Sequence, residues 1–331
     1  MTILVTGAQG YVGRYVVAAL VERGAAVVGT GRSAQQDTHF THHFELGGRA
    51  LPAPLPAPLA ESARSPTYRY IPCDLANAPA TAELVRSLAP TRIIHLAGAL
   101  RDEGTTALTS SNIAGTANLA RAAAALPEPP FFVYGSSGSV FGRQSELPVR
   151  EEAVPVPLGS YAESKRAAEE ALVEIAASTN MPVLIARIFN LLGPGLQPRH
   201  LAGYLAHLIA EAELPGASDR IKTGDLSTTR DLVDVRDCAD FLIDCTPTRP
   251  LAFANIASGV ETAMDQMVAN FLGRAERPLT LASAPARSRE GADRIVADVP
   301  SMRALGLPRI ALDRSVADML AYARDRRHDE S

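Results

Sequence analysis

The chain has 331 residues, a formal net charge of −4 and 47% apolar side chains. This length suits one large domain, or a domain with a smaller lobe. The mildly acidic balance, without a basic stripe, argues against a nucleic-acid partner. No apolar run approaches the roughly 20 residues of a membrane-spanning helix, which argues against a membrane partner. The three cysteines are scattered and lack metal-ligand spacing, which indicates reduced core residues of a cytoplasmic protein without a metal.

The N-terminus combines a buried strand with a glycine-rich turn. Residues 2–6 are typical of a parallel strand, residues 14–23 have a helical pattern, and the apolar run 25–30 completes a β-α-β unit. Three glycines between strand and helix permit the tight turn, the approach of a pyrophosphate and close helix packing, namely Gly7, Gly10 and Gly13. The start of the helix offers unpaired N–H groups to phosphate. The pattern predicts a dinucleotide site that also includes Tyr11 and Val12.

The end of the second strand indicates which dinucleotide binds. Folds that bind NAD usually place a carboxylate there, on the adenosine ribose, whereas this chain has Gly31 followed by Arg32. Gly31 lacks the charge that would repel a 2′-phosphate, and Arg32 offers a planar fork of donors suited to one. The pattern favours NADP(H), with NAD as the alternative. Arg32 could instead stack on the adenine or face solvent.

A long irregular segment, residues 33–66, follows this unit. It contains the proline-rich stretch 51–58, which predicts an extended or polyproline-like loop because proline lacks an N–H group and blocks helix and sheet pairing. A loop of this length indicates an insertion or a mobile flap. Its histidines, His39, His42 and His43, lack a nearby cysteine or clustered acids, so a solvated loop is a better interpretation than a metal site.

Strands and helices then alternate. The predicted strands are 68–71, 92–96, 131–134, 183–187 and 253–256, and the predicted helices are 80–88, 106–125, 160–179, 264–272 and 315–326. This order predicts an α/β fold with a doubly wound parallel sheet, a Rossmann fold, and a smaller C-terminal substrate-binding lobe. We expect residues 1–180 to form mainly the dinucleotide-binding domain, to which strand 183–188 and part of 225–258 return. Residues 190–331 then form mainly the substrate lobe.

Tyr161 and Lys165 lie four residues apart in the predicted helix 160–179. At this spacing both side chains lie on one helical face, one turn apart. A free tyrosine, with a pKa near ~10, is a poor acid or base at neutral pH. A nearby ammonium favours the phenolate and brings that pKa toward the working range. Many surface helices contain this spacing by chance. In a chain that also has a dinucleotide-binding turn, however, it predicts an acid–base pair.

Eight short motifs together resemble the extended short-chain dehydrogenase/reductases. These are NAD(P)-dependent nucleotide-sugar epimerases, dehydratases and reductases, and the resemblance covers nearly the whole chain. The motifs are residues 6–13, 73–75, 95–98, 112–119, 136–142, 161–165, 187–195 and 229–237.

The resemblance implies roles for particular residues. Tyr161 would exchange the proton, Lys165 would bind the nicotinamide ribose, and Ser137 would hydrogen-bond the substrate oxygen. The cofactor would also contact Asp74, Leu75, Leu96, Ala97 and Gly98. The sugar diphosphate would be held by Asn190, Arg230 and Arg287.

Three of these roles have alternatives. Arg230 could form a salt bridge with Asp231 or Asp234. Asn190 could cap the turn that follows it. Arg287 could be a solvated loop charge, or Arg289 could hold the diphosphate in its place.

The resemblance also favours a reductase within the family. Dehydratases of the group have an Asp-Glu pair directly after the catalytic Ser or Thr, where this chain has Gly138 and Ser139. Residues 223–231 most resemble GDP-4-keto-6-deoxy-mannose reductases, although Phe141 replaces a usual tyrosine. The implied activity is an NADP(H)-dependent 4-ketoreductase of a nucleotide-activated 4-keto-6-deoxyhexose, with GDP-linked favoured over dTDP-linked sugars.

Two alternatives to this activity stay open. One is a nucleotide-sugar 4-epimerase that retains NAD, and the other is a non-catalytic NADP-binding sensor or scaffold on the same fold. The resemblance further implies a homodimer, because helices 106–125 and 160–179 pair across a two-fold axis in relatives.

Overall fold

A computed structural model describes residues 2–46, 49–100, 103–247, 250–284 and 294–329 of the protein. The strands are β1 (Thr2–Thr6), β2 (Ala26–Gly31), β3 (His39–Leu46), β4 (Arg49–Pro54), β5 (Tyr68–Pro72), β6 (Arg92–His95), β7 (Phe131–Ser137), β8 (Val183–Ile188), β9 (Asn190–Leu192), β10 (Arg220–Thr223), β11 (Thr229–Asp234), β12 (Leu251–Ile256), β13 (Glu261–Ala263) and β14 (Thr280–Ser283).

The α-helices are α1 (Tyr11–Glu22), α2 (Ala57–Ala63), α3 (Ala78–Leu88), α4 (Gly104–Ala107), α5 (Thr116–Ala124), α6 (Ser160–Ser178), α7 (Leu201–Ala212), α8 (Val235–Asp244), α9 (Met264–Leu272), α10 (Pro300–Ala304) and α11 (Leu312–Asp329). A π-helix, Leu108–Gly115, joins α4 to α5, and a 3₁₀ turn, Gly138–Phe141, follows β7. Among the helices that the structure describes, none has the length and apolar character that crossing a membrane would require.

Seven strands form one parallel sheet in the order β12, β8, β7, β6, β1, β2, β5. The chain adds strands outward from β1 in one direction and then, from β6 onward, in the other. In sheets of this kind ligands bind outside the carboxyl ends of the strands, at the point where the order reverses. That point lies between β1 and β6. The predicted doubly wound α/β fold is confirmed.

Helices cover both faces of the sheet, as the strand β1 illustrates. Val5 belongs to one apolar cluster with Val16 of α1 and Leu242 of α8. Its neighbour Leu4 belongs to a second cluster with Leu119 of α5 and Leu172 of α6. Successive side chains of a strand point to opposite faces, so continuously apolar strands are expected where both faces are covered.

The C-terminal part of the chain builds a third apolar cluster from α7, α9 and α11. Two small sheets accompany it: β13, β11 and β9 form one, and β10 pairs with β14 in the other. The strands β8 and β12 lie in the large sheet, although they are late in the chain. The division into two domains at about residues 180–190 stays a prediction.

The segment predicted as an irregular loop is in fact a β-hairpin followed by a short helix. β3 pairs with β4 in antiparallel fashion, and Pro52 and Pro54 lie opposite His43 and His39. Proline is tolerated here because a two-stranded hairpin consists of edge strands, where a missing N–H group need not break a ladder. The hairpin is also well packed, since Phe44 has no exposed surface. The prediction of an unpaired loop or flap was wrong.

The hairpin contacts both α1, the helix that follows the glycine turn, and the C-terminal helices. Phe40 lies 6.0 Å from the ring of Tyr11 at the start of α1. Phe44 lies 4.4 Å from the ring of His207 on α7, and Tyr322 of α11 donates a hydrogen bond of 2.7 Å to the Pro54 carbonyl. The hairpin therefore packs against α1 near the N-terminus and against α7 and α11 in the C-terminal half of the chain.

Candidate active site

The predicted cofactor-binding and catalytic residues gather at the carboxyl edge of the parallel sheet, beginning with the glycine turn after β1. Gly7 has a φ of +64°, a backbone conformation that side chains other than glycine rarely adopt. A Cβ at Gly13 would lie 2.1 Å from the Gly7 carbonyl oxygen, so helix and turn approach more closely than any side chain permits. A Cβ at Gly10 would meet only the Gly7 oxygen, at 3.2 Å, within 4 Å among the described atoms. The Gly10 face of the turn is therefore open to a ligand.

The start of α1 suits a pyrophosphate. The first N–H groups of a helix have no partner within the helix and carry partial positive charge. In the described part of the chain no side chain caps this helix at Gly10. Tyr11 and Val12 are its first residues, both half-buried. The open turn and the uncapped helix fit the diphosphate of a nicotinamide dinucleotide.

The turn can be tested by replacing Gly13 with alanine. The added methyl group would overlap the Gly7 oxygen, so we expect a cost of about 1–3 kcal/mol in unfolding free energy and a rise of about tenfold or more in the Kd for the nicotinamide dinucleotide. Urea denaturation and a fluorescence titration measure the two effects. Gly224→Ala is the control, because a Cβ there meets nothing within 4 Å. Equal behaviour of the two variants would contradict the tight-turn interpretation.

The loop after β6 lies directly against the glycine turn. The hydroxyl of Thr6 accepts hydrogen bonds from the backbone N–H groups of Leu96 and Ala97 at 3.2 and 3.1 Å. Thr6 is also bonded to Nδ1 of the buried His95 at 2.6 Å. Burial lowers the pKa of His95 to about 3, with the charge of Lys165 as a second cause. A neutral histidine thus shapes the loop that carries the predicted cofactor residues Leu96, Ala97 and Gly98.

Asp74 and Leu75 lie at the end of β5, beside β2 in the sheet. Asp74 is exposed, and its Oδ1 accepts a hydrogen bond from the Ala76 N–H at 3.0 Å. Leu75 is buried, and its carbonyl accepts a bond of 3.0 Å from Asn118. The structure therefore places both at the sheet edge that holds the turn, and leaves the Asp74 side chain facing solvent.

Lys165 is buried beside the loop after β6, which carries Gly98. Its Nζ donates a 2.9 Å hydrogen bond to the Gly135 carbonyl and lies 5.0 Å from the centre of the Tyr134 ring. A Cβ built on Gly98 would be 3.5 Å from this nitrogen, which shows how close the loop comes. Burial lowers the pKa of Lys165 to about 8, opposed by the charge of Glu169.

Tyr161 and Ser137 lie on the two elements that meet beside this lysine. Tyr161 is half-buried in the first turn of α6, one turn before Lys165. Ser137 ends β7, against which α6 packs, and its Oγ accepts hydrogen bonds of 3.2 and 2.9 Å from the N–H and hydroxyl of Ser139. The parallel sheet and α6 thus bring the three predicted catalytic residues to one edge.

Asn112 links the loop after β6 to α6, a role that the sequence did not reveal. Its Oδ1 accepts the Ala99 N–H at 2.8 Å, and its Nδ2 donates to the Ser164 hydroxyl at 2.9 Å. Ser164 in turn donates to the Tyr161 carbonyl at 2.8 Å. Asn112 lies within the π-helix, a rare form that often occurs at functional sites. The predicted helix 106–125 is helical over nearly its whole length, but most of its first half, Leu108–Gly115, is a π-helix that the sequence pattern did not predict.

A buried ion pair anchors α6 to the sheet. The Glu169 carboxylate accepts bonds from Arg187 Nε at 3.0 Å and Nη2 at 2.9 Å, and from the Ser136 hydroxyl at 2.6 Å. The Arg187 guanidinium lies 4.7 Å from the ring centres of both Phe141 and Phe253. Phe141, the departure from the family pattern, is thus a buried partner of Arg187.

Two of the three predicted sugar-diphosphate residues lie on the paired strands β9 and β11. Asn190 is exposed and donates a long bond of 3.4 Å to the Asp231 carbonyl. Arg230 is half-buried and donates to the Thr229 carbonyl at 2.7 Å. Arg287 lies outside the described residues.

The two acids considered as alternative partners of Arg230 have other bonds. The Asp231 carboxylate accepts bonds from Ser258, Gly259 and Ala297. The Asp234 carboxylate accepts bonds from Arg236 and Ser315. Both acids therefore join separate segments of the C-terminal part of the chain.

Arg32 is exposed just after β2, where its Nη2 lies 3.4 Å from the Glu103 carboxylate. The chain after it is fixed by Gln9 of the glycine turn, whose amide accepts from the Gln36 N–H at 2.5 Å and donates to the Ala34 carbonyl at 2.9 Å. Buried Arg14 adds a 3.2 Å bond to the His39 carbonyl. In the described ranges, no group of three or more His, Cys, Asp or Glu residues could hold a metal ion.

The family model described as "NAD dependent epimerase/dehydratase family" matches residues 3–245. The chain belongs to this family. The resemblance drawn from the motifs is thereby confirmed, as is the prediction of an NAD(P)-dependent enzyme of the oxidoreductase type.

Individual relatives of the family include reductases and epimerases. A GDP-6-deoxy-D-mannose reductase of Pseudomonas aeruginosa is 33% identical over 62% of this chain and 70% of its own length. A UDP-glucose 4-epimerase of Mycolicibacterium smegmatis is 28% identical over 84% of this chain and 85% of its own. The solved structure of RMD from Pseudomonas aeruginosa complexed with NADPH has a TM-score of 0.75 and 26% identity, and covers 98% of this chain and 99% of that one.

Proposed function

We propose that the protein is an NADP(H)-dependent 4-ketoreductase of a nucleotide-activated 4-keto-6-deoxyhexose, with GDP as the favoured nucleotide and dTDP as the alternative. The observation that carries the catalytic part is the buried Lys165 ammonium beside the Gly98 loop, one turn after Tyr161. The substrate class is supported by the likeness to the GDP-6-deoxy-D-mannose reductase of Pseudomonas aeruginosa.

The side chains would divide the reaction in a simple way. The bound nicotinamide cofactor would supply a hydride to the carbonyl carbon of the sugar. As the C=O π electrons move onto oxygen, the Ser137 hydroxyl would donate a hydrogen bond to that oxygen and Tyr161 would give it a proton. Lys165 would hold the nicotinamide ribose and stabilise the resulting phenolate. Asn190, Arg230 and Arg287 are proposed to hold the sugar diphosphate.

The preference for NADP(H) is supported by Arg32 and by the absence of an acid at Gly31. The NADPH complex of RMD supports the same preference. Asp74, Leu75, Leu96 and Ala97 are proposed to contact the cofactor along the sheet edge.

A second candidate is a 4-epimerase that retains its NAD. It is favoured by the longer match to the UDP-glucose 4-epimerase of Mycolicibacterium smegmatis. Such an enzyme would use the same Tyr161 and Lys165. A non-catalytic sensor is less well supported, because a sensor needs neither residue. The predicted homodimer and cytoplasmic location stay predictions.

The deciding experiment measures NADPH and NADH oxidation with GDP- and dTDP-linked 4-keto-6-deoxyhexoses, alongside analysis of cofactor released from the purified protein. We expect turnover with a GDP-linked sugar and a lower KM for NADPH than for NADH. No oxidation, with NAD already bound and nucleotide sugars interconverting at C4, would overturn the reductase in favour of the epimerase. Neither activity would leave the sensor as the better interpretation.

A further inference from the structure

The Arg32–Glu103 pair lies at the end of β2, where folds of this kind bind the adenosine ribose of the cofactor. Arg32 follows β2, and Glu103 belongs to the loop after β6. Their charged groups are 3.4 Å apart, with side-chain exposures of 57% and 36%. Because the two residues come from different elements, their closeness is a product of the fold and not of the local sequence.

The Glu103 carboxylate is held by its own loop as well as by Arg32. Its Oε1 accepts a 2.8 Å hydrogen bond from the Leu100 N–H, while its backbone N–H donates to the Leu100 carbonyl at 3.0 Å. Its other oxygen, Oε2, faces Arg32. The carboxylate is therefore positioned independently of Arg32.

Arg32 is also held on a fixed stretch of chain. The Gln9 amide bonds to the backbone at Ala34 and Gln36, and Tyr70 donates a 3.0 Å bond to the Ser33 carbonyl. Because the two charged groups lie 3.4 Å apart, a 2′-phosphate bound by the Arg32 guanidinium in this conformation would also lie close to the Glu103 carboxylate.

We propose that Glu103 is a cofactor-specificity residue whose carboxylate competes with the 2′-phosphate of NADP(H) for the Arg32 guanidinium. The inference rests on the proposed use of NADP(H) and deepens it. The strand-end acid of NAD-binding folds is missing at Gly31, but a negative charge reaches the same region from the loop after β6. Glu103 thus lowers the preference for NADP(H) that Arg32 creates, and leaves NADH binding unaffected.

The size of the effect follows from the exposure of the pair. The ion pair of Glu103 with Arg32 is weak because it is exposed to solvent, and the carboxylate also repels the phosphate directly. We therefore expect E103Q to lower the Kd for NADPH by about three- to tenfold. The Kd for NADH, which lacks the phosphate, should change by less than about twofold. Added salt should reduce the difference between the two variants, because exposed charges are screened.

The experiment measures Kd for NADPH and NADH, by titration without sugar substrate, in the wild type, E103Q, R32A and the double variant. E83Q is the matched control, since Glu83 is an exposed acid paired with Arg86 on α3. Tighter NADPH binding in E103Q that disappears in the R32A background supports the proposal. If R32A lowers the NADPH preference but E103Q equals E83Q, the proposal fails while the cofactor assignment stands.

Two other outcomes would also overturn the proposal. If R32A leaves the ratio of the NADPH and NADH Kd values unchanged, the NADP(H) assignment itself fails, and the competition fails with it. If E103Q weakens NADH binding selectively, Glu103 binds the ribose hydroxyls and does not compete for Arg32.

Discussion

Replacing Tyr161 by phenylalanine should lower kcat for the proposed ketosugar reduction by about 10²–10⁴-fold, the range that general acid–base groups contribute. The Kd for NADPH should stay within a fewfold of the wild-type value, because the variant loses a hydroxyl and keeps the ring. Lys165 keeps its bond to the Gly135 carbonyl, so the proposed contact of Lys165 with the ribose is not removed. Steady-state kinetics and a cofactor titration measure the two quantities.

A second tyrosine provides the control for this prediction. The Tyr322 hydroxyl donates a hydrogen bond to the backbone carbonyl of Pro54 in the hairpin. Tyr322→Phe should cost about 1 kcal/mol in unfolding free energy and leave kcat near the wild-type value. A Tyr161→Phe enzyme with more than a tenth of wild-type kcat would contradict the role of Tyr161 as proton donor.

The second large effect is expected on stability, at the buried pair of Glu169 and Arg187. Glu169 has no exposed surface, and Arg187 has 2%. Glu169→Ala would leave the guanidinium buried without its carboxylate, and breaking a buried pair in this way costs about 3–5 kcal/mol. Urea denaturation measures the change in unfolding free energy.

The next residue along α6 is a matched control for Glu169. Glu170 is exposed, and it pairs with Arg166 at 2.9 Å. Glu170→Ala should cost no more than about 0.5 kcal/mol, as exposed i,i+4 pairs do. If Glu169→Ala were no more destabilising than Glu170→Ala, the buried pair would not be the anchor of the helix that carries Tyr161 and Lys165.

The parts of the site that the sequence predicts are those with local signals. The glycine spacing after β1 specifies its own backbone geometry, and the four-residue spacing of Tyr161 and Lys165 specifies a shared helical face. The parallel order then follows from alternating strands and helices. Each of these signals is complete within a short stretch of chain, so no tertiary information is needed to interpret it.

The parts that the sequence does not predict depend on distant contacts. Pro52 and Pro54 argued against a strand, whereas the burial of Phe40 and Phe44 in the core, a tertiary contact, favours the hairpin. The pairing of Arg32 with Glu103 joins positions 71 residues apart. A π-helix likewise has no simple periodic signal.

The hairpin's position has a consequence for anyone who wishes to shorten this protein. Residues 33–66 look dispensable in the sequence, because they are proline-rich and interrupt an otherwise regular alternation of predicted strands and helices. Yet the Phe44 ring packs against the ring of His207. The guanidinium of Arg326 lies 5.2 Å from the centre of the same Phe44 ring. A deletion would open an aromatic surface on α7 and α11 and leave that guanidinium without its ring. A minimal version of this enzyme must retain the hairpin, or redesign the two helices that rest on it.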